Sequence, residues 1–265
     1  MRRPLLKPAW SWSLAFLGGF SGLLSGLFGI GGGLIVGPAL VAAGFGLRKA
    51  TATALAVVAP VALVGVLTEW ILFPEQLHIW VGLTLAVGGQ AGIYLGNRLL
   101  RKMPDQILRW AFTLLLLYAA SRHGLEWGEM SVGLSFADGS FAPSEYVAFA
   151  LLGVVAGVSA ALFGVGGGVV MVPGLVLGVG GFSMAAAMGT SLLAMVLTAT
   201  QGTRLAMREG RVDTSMVLSL APTALLAAVG GVWLRGSFQA QPWLGQAFAL
   251  FLLFAIFRLH QTPAK

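Results

Sequence analysis

The chain contains no cysteine. Disulfides, thiolate metal sites and cysteine nucleophiles are excluded with it. Histidine is almost as scarce. His78, His123 and His260 stand near segment ends or in a loop and make no metal-binding spacing, so no metal site and no cofactor are expected. Charge is the third shortage. Asp, Glu, Lys and Arg make up 9% of the residues and hydrophobic types 57%, whereas an ordinary soluble domain carries about 25% charged residues. So few charges cannot cover a soluble fold of this size. No charged residue occurs from Pro8 to Leu47 or from Tyr146 to Thr203. A membrane span needs about 20 mostly apolar residues, so these stretches are read as linked membrane segments. No His, Asp or Glu lies mid-span, which leaves an intramembrane enzyme without a catalytic pair. No Walker A sequence is present.

Glycine is what the chain has in quantity, 38 residues, and small residues let helices pack closely in lipid. Their order matters more than their number. The string from Phe28 through Gly29-Ile30-Gly31-Gly32-Gly33 recurs as Phe163 through Gly164-Val165-Gly166-Gly167-Gly168, an offset of 135. Gly18 matches Gly153, Gly22 matches Gly157, Pro38 matches Pro173 and Leu40 matches Leu175. Ten of 23 positions are identical between 18–40 and 153–175. Residues 1–22 have the basic start and apolar run of a signal peptide, but that run belongs to the repeat and is read as the first span.

Each half reads as five segments: 9–29, 34–45, 50–73, 78–97 and 105–121, then 146–164, 169–179, 184–206, 214–234 and 243–257. The expected organisation is an N-terminal repeat over 1–121, an extracytoplasmic connector over 122–144 and a C-terminal repeat over 145–265. Together they form one all-α polytopic membrane domain.

Charge then sets the topology. Cytoplasmic loops are enriched in Lys and Arg. With the N-terminus inside, 14 of the 16 basic residues fall on the cytoplasmic side; Arg122 and Arg235 are the exceptions. The loop after the third segment carries Glu69 and Glu75 in the first half, and Arg204, Arg208 and Arg211 in the second. Equivalent loops of opposite charge imply inverted repeats, with both termini cytoplasmic and the chain in the inner membrane. Transporters built this way bind substrate near the midplane, where the repeats meet. The net charge of +7 therefore reports topology, and no nucleic-acid partner is expected.

The segments after the triple glycines are too short for an ordinary span. They imply either a re-entrant hairpin or a thin crossing, and charge does not choose between them. Consecutive glycines break a helix and expose backbone N–H groups. Such a break can hold an anion without a charged side chain. The competing reading is that the glycines only allow close helix packing. The candidate binding residues are Gly29, Gly31, Gly32 and Gly33 with Gly164, Gly166, Gly167 and Gly168. Thr53, Thr190, Ser191 and Gln90 are candidates for nearby polar contacts, although Ser and Thr in helices often bond only to their own backbone. Glu69 and Arg204, equivalent by the offset, lie near segment ends where long side chains snorkel to the interface; gating or coupling is the functional alternative. No residue is assigned a catalytic role.

The string Gly22-Leu23-Leu24-Ser25-Gly26-Leu27-Phe28-Gly29-Ile30-Gly31-Gly32-Gly33, its second copy from Gly153 to Pro173, and Met188-Gly189-Thr190-Ser191-Leu192-Leu193 resemble the signature elements of the TauE/SafE family of sulfite-exporter-like permeases. The resemblance covers nearly the whole chain. It implies transport of sulfite, an organosulfonate or a related small anion. Two departures are visible: Ala54-Leu55-Ala56 stands where the second half has Gly189-Thr190-Ser191, and Ala160-Ala161 stands where the first has Ser25-Gly26. The expected function is secondary transport of a small anion, with one repeat rocking against the other. A passive anion channel and a non-transporting scaffold are the alternatives. The expected partners are the anion, the bilayer and, as one option, a second copy of the chain.

Overall fold

The computed structural model describes residues 12–104, 141–178 and 181–237, with isolated positions between 106 and 117 and between 246 and 253. Eight α-helices, and no strand, are found among the described residues. They are α1 (Trp12–Phe28), α2 (Gly33–Ala42), α3 (Leu47–Leu72) and α4 (Ile79–Lys102), then α5 (Pro143–Phe163), α6 (Gly168–Pro173), α7 (Met184–Arg208) and α8 (Thr214–Ser237). Five of them, α3, α4, α5, α7 and α8, are long and apolar enough to cross a membrane. The chain is an all-α polytopic membrane protein. The fifth segment of each half, and most of the connector, lie outside the described residues.

Local chemistry accounts for the helix ends. Pro143 opens α5, and Glu145 accepts a hydrogen bond at 2.6 Å from the Ala142 amide. Ser183 caps α7 by accepting from the Ala186 amide, and Asp213 caps α8 by accepting from Met216. These caps satisfy amides that a helix start otherwise leaves without partners. α2 has ten residues, about 15 Å at the usual rise. α6 is shorter than its sequence suggested. The α-helix ends at Pro173, and residues 174–178 continue as a π turn. Proline has no N–H to give the preceding turn and its ring crowds that turn's carbonyl, which favours the wider winding.

The helices pair across the halves. α1 lies along α8, α4 along α5, and α3 along α7. Glycines set the first two contacts. A Cβ on Gly18, Gly22 or Gly26 would stand 2.5, 2.0 or 2.2 Å from the carbonyl oxygens of Leu220, Ala224 and Ala228. On Gly153 and Gly157 it would meet the carbonyls of Leu85 and Gly89, each at 2.2 Å. Shifting the Gly18 and Gly22 contacts by the 135-residue offset reproduces the second set, whereas Ala161 stands at the position equivalent to Gly26. Backbone approach this close excludes any side chain. The α3/α7 pair runs antiparallel: Gly65 faces Leu192, Gly202 faces Leu55, and Gly189 faces Glu69. Phe16, Ile71, Trp80, Leu218 and Leu226 are exposed on the periphery, as a lipid-facing surface requires.

Candidate functional site

The glycine strings break the chain between α1 and α2 and between α5 and α6. Gly29, Gly31, Gly164, Gly166 and Gly167 have φ between +64° and +97°, a region open to glycine and strained for other residues. The two breaks touch. A Cβ on Gly33 would lie 2.0 Å from the Gly164 carbonyl oxygen, and one on Gly168 would lie 2.5 Å from that of Gly29. The contact is reciprocal under the 135 offset. Residues 30–34 and 165–169 are all buried. Among the described residues, none of their amides donates a hydrogen bond. The N–H groups of ten buried residues, none making a well-formed bond to a described acceptor, are therefore gathered in two adjoining strips. Most buried amides in proteins are paired, so this concentration is unusual inside an apolar bundle.

The carbonyls of the breaks are held instead. Ser191 Oγ donates to the Gly29 carbonyl at 2.7 Å and lies 2.8 Å from that of Met188. Thr198 Oγ1 donates to the Gly166 carbonyl at 3.1 Å. One helix, α7, thus holds a carbonyl of each break and leaves the amides uncommitted. Thr198 was not singled out in the sequence, where it is one more threonine in an apolar segment. Val58 on α3 and Met195 on α7 cover the breaks: both come within 3.3 Å of Cβ positions on Gly31 and Gly166.

The other candidates fall elsewhere. Thr53 Oγ1 accepts from the Asp213 amide at 3.0 Å, and Thr190 Oγ1 accepts from the His78 amide at 3.2 Å. Each threonine ties the second turn of its helix to the residue that starts α8 or α4 in the other half. Gln90 is half-buried on α4 and hydrogen-bonds to neither break. Arg204 is exposed, as a snorkelling side chain should be. Glu69 is not: it and Arg235 are both fully buried and form an ion pair. The expectation that Glu69 snorkels is corrected here, because its counter-ion reaches it from α8.

A polar network closes the opposite end of the bundle. Glu209 accepts from Asn97 at 2.8 Å and from Arg211 at 2.6 Å, and it also bonds Arg101. Lys49 pairs with Asp213 at 2.8 Å. Burial raises the Glu209 carboxyl, but the three donors outweigh it and hold it at about 2. Asp213 is likewise held below its ordinary value: burial raises it, but the bond and charge of Lys49 and the bonds from the Met216 and Ser215 amides together outweigh burial. A narrow recess beside this network is lined by Thr51, Leu55, Asn97, Ala161, Leu205 and Arg211. At the Glu69 end, burial pushes the His78 imidazole below its ordinary value, and its ring packs edge-on against Phe182 at 4.8 Å.

Paired glycine breaks of this kind were the residues behind the family resemblance. The family model described as "Sulfite exporter TauE/SafE" matches residues 2–122 and 149–264. The chain belongs to the TauE/SafE family. No curated protein and no solved structure gives a significant match. Membership in the TauE/SafE family makes this a multi-pass membrane protein of the sulfite-exporter type, with a small anion as the class of cargo. The two matched stretches contain both breaks, and the interval between them holds most of the expected connector. Among the described residues, no group of His, Cys, Asp and Glu is placed to hold a metal ion.

Proposed function

We propose that this TauE/SafE protein is a secondary transporter that binds a small sulfur oxyanion, such as sulfite or an organosulfonate, on the backbone amides of its two glycine breaks. The observation that carries the reading is the pair of adjoining strips of buried residues whose N–H groups make no well-formed bond to a described acceptor. An oxyanion offers several acceptor oxygens to such a strip. Amides fixed in a low-dielectric setting bind negative charge strongly, because no water competes and little reorganisation is needed. Ser191 and Thr198 contribute by engaging the carbonyls, whose negative ends would otherwise oppose an anion.

The protein works as a carrier in this reading, not as an open pore. Val58 and Met195 cover the breaks, and an ionic network spans the halves at each end, so a solute passes only when packing changes. The halves are read as inverted repeats, 1–121 and 145–265. The antiparallel run of α3 against its counterpart α7 and the reciprocal glycine contacts support that reading. The end carrying Lys49, Arg101 and Arg211 is assigned to the cytoplasm, where basic residues concentrate. Both termini then lie inside, and the membrane is the cell's inner membrane.

The test is sulfite flux in proteoliposomes. Gly32→Val and Gly167→Val should insert in normal yield yet lose flux. A Cβ at Gly32 would meet the Ser21 carbonyl at 2.7 Å, and at Gly167 the backbone has φ +97°. Wild-type flux in either variant would refute binding at the breaks.

A further inference from the structure

The Glu69–Arg235 pair, like the bonds from Ser191 and Thr198, is not repeated by the 135-residue offset. The Gly18 and Gly22 contacts and the contacts between the breaks recur in both halves. This pair does not. The positions equivalent by the 135 offset are Arg204, which is exposed, and Leu100, which is buried. Stability does not explain it. Two charges removed from water lose solvation that their mutual attraction barely repays, and a well-packed apolar pair is often as stable or more so. Ionisable groups inside a membrane domain are expensive and tend to be functional.

The pair is also incompletely bonded. One guanidinium nitrogen of Arg235 bonds Glu69, and another donates to the Gly26 carbonyl at 3.3 Å. Arg235 Nε and Glu69 Oε1 have no partner, although both are buried. Part of the guanidinium fork, which suits two oxygens of one oxyanion, is left uncommitted. Its position relates it to the breaks. Gly26 lies on the last turn of α1, one residue beyond Ser25, whose carbonyl accepts from the Gly29 amide. The Glu69 carboxylate lies against Gly189, with Oε1 2.9 Å from a Cβ position there. Two residues on, Ser191 holds the Gly29 carbonyl. The ion pair therefore sits directly behind the first break, at the end away from the basic network.

We propose that Arg235 is the charge partner of the transported oxyanion on the extracytoplasmic side of the first break, and that Glu69 is the resident counter-ion the anion replaces. This rests on the reading that the breaks bind an anion. In the closed arrangement Glu69 neutralises Arg235 and pins α3 to α8. An arriving oxyanion takes over the guanidinium fork, and the α3–α8 contact is released as it does so. The absence of a matching pair in the other half makes the two ends unequal, with a fixed positive group available at one of them.

The experiment uses the full chain in proteoliposomes, with sulfite as the probe. E69Q keeps the shape but removes the competitor, so the KM for sulfite should fall. R235K keeps the charge but loses the planar fork, so KM should rise. E69L/R235L removes both charges. It should retain the wild-type elution profile and thermal midpoint while flux at low sulfite drops about tenfold or more, as loss of a desolvated charge contact does. A double variant with wild-type KM would overturn the proposal. If the double variant does not fold, the opposite KM shifts of E69Q and R235K carry the test, and an unchanged KM in both overturns it. Failure of the underlying reading looks different: Gly32→Val would then transport normally, or the wild type would show no sulfite flux.

Discussion

At the residue scale, the hydroxyls of α7 decide what the breaks can do. Ser191 bonds the Gly29 carbonyl with both groups buried. Ser191→Ala leaves that carbonyl without its donor, which costs about 1–3 kcal/mol. The expected result is a lower thermal midpoint in detergent together with reduced sulfite affinity, since the carbonyl is then free to turn towards the anion. Ser191→Thr should restore both. Thermal melts and flux measured on the same preparations check this. The sequence showed Ser191 but not its role. It named Thr53 and Thr190 as ligand donors, whereas the structure uses both as acceptors for helix starts in the other half. Thr198 gave no signal, because Leu63, its equivalent by the offset, carries no hydroxyl. The Glu69–Arg235 pair was hidden for a different reason. Its members are 166 residues apart, and each alone near a helix end looks like a snorkelling side chain.

At the scale of elements, the glycine and proline spacing was largely sufficient. The helices expected at 50–73, 146–164 and 214–234 are observed at Leu47–Leu72, Pro143–Phe163 and Thr214–Ser237. The main departure is α6, where a proline turns the expected helix into a short α turn followed by a π turn. The loop between α7 and α8 carries the clearest pH prediction. Glu209 is held at about 2, below its ordinary value of 4.5. Its folded pKa is depressed, so its stabilising contribution is complete above the ordinary value and is lost as pH falls from 4.5 towards 2. Asp213 is shifted in the same direction. Thermal midpoints across that window should fall for the wild type. In Glu209→Gln the slope should shrink but not vanish, with Asp213 supplying the remainder.

At the scale of the whole molecule, the missing cysteines become useful. A single introduced cysteine is the only thiol in the chain. Glu75→Cys should react with a membrane-impermeant maleimide added outside intact cells. Gly210→Cys, beside the basic network, should react only after the membrane is opened. Labelling of both from the same side would contradict the inverted arrangement. Both positions are exposed, and a Cβ on Gly210 meets nothing within 4 Å; its φ of +64° makes the neighbouring Glu209 loop the part to check for retained folding.

The glycine seams also constrain how such a molecule can move. Along α1/α8 and α4/α5 backbone meets backbone at Gly22, Gly26, Gly153 and Gly157, which leaves little side-chain volume there to slide or repack. Each seam joins the first helix of one half to the fourth helix of the other. A hinge that parted residues 1–121 from 145–265 would have to tear both seams open. Any units that travelled intact would then each combine a helix from one half with a helix from the other, α1 with α8 and α4 with α5.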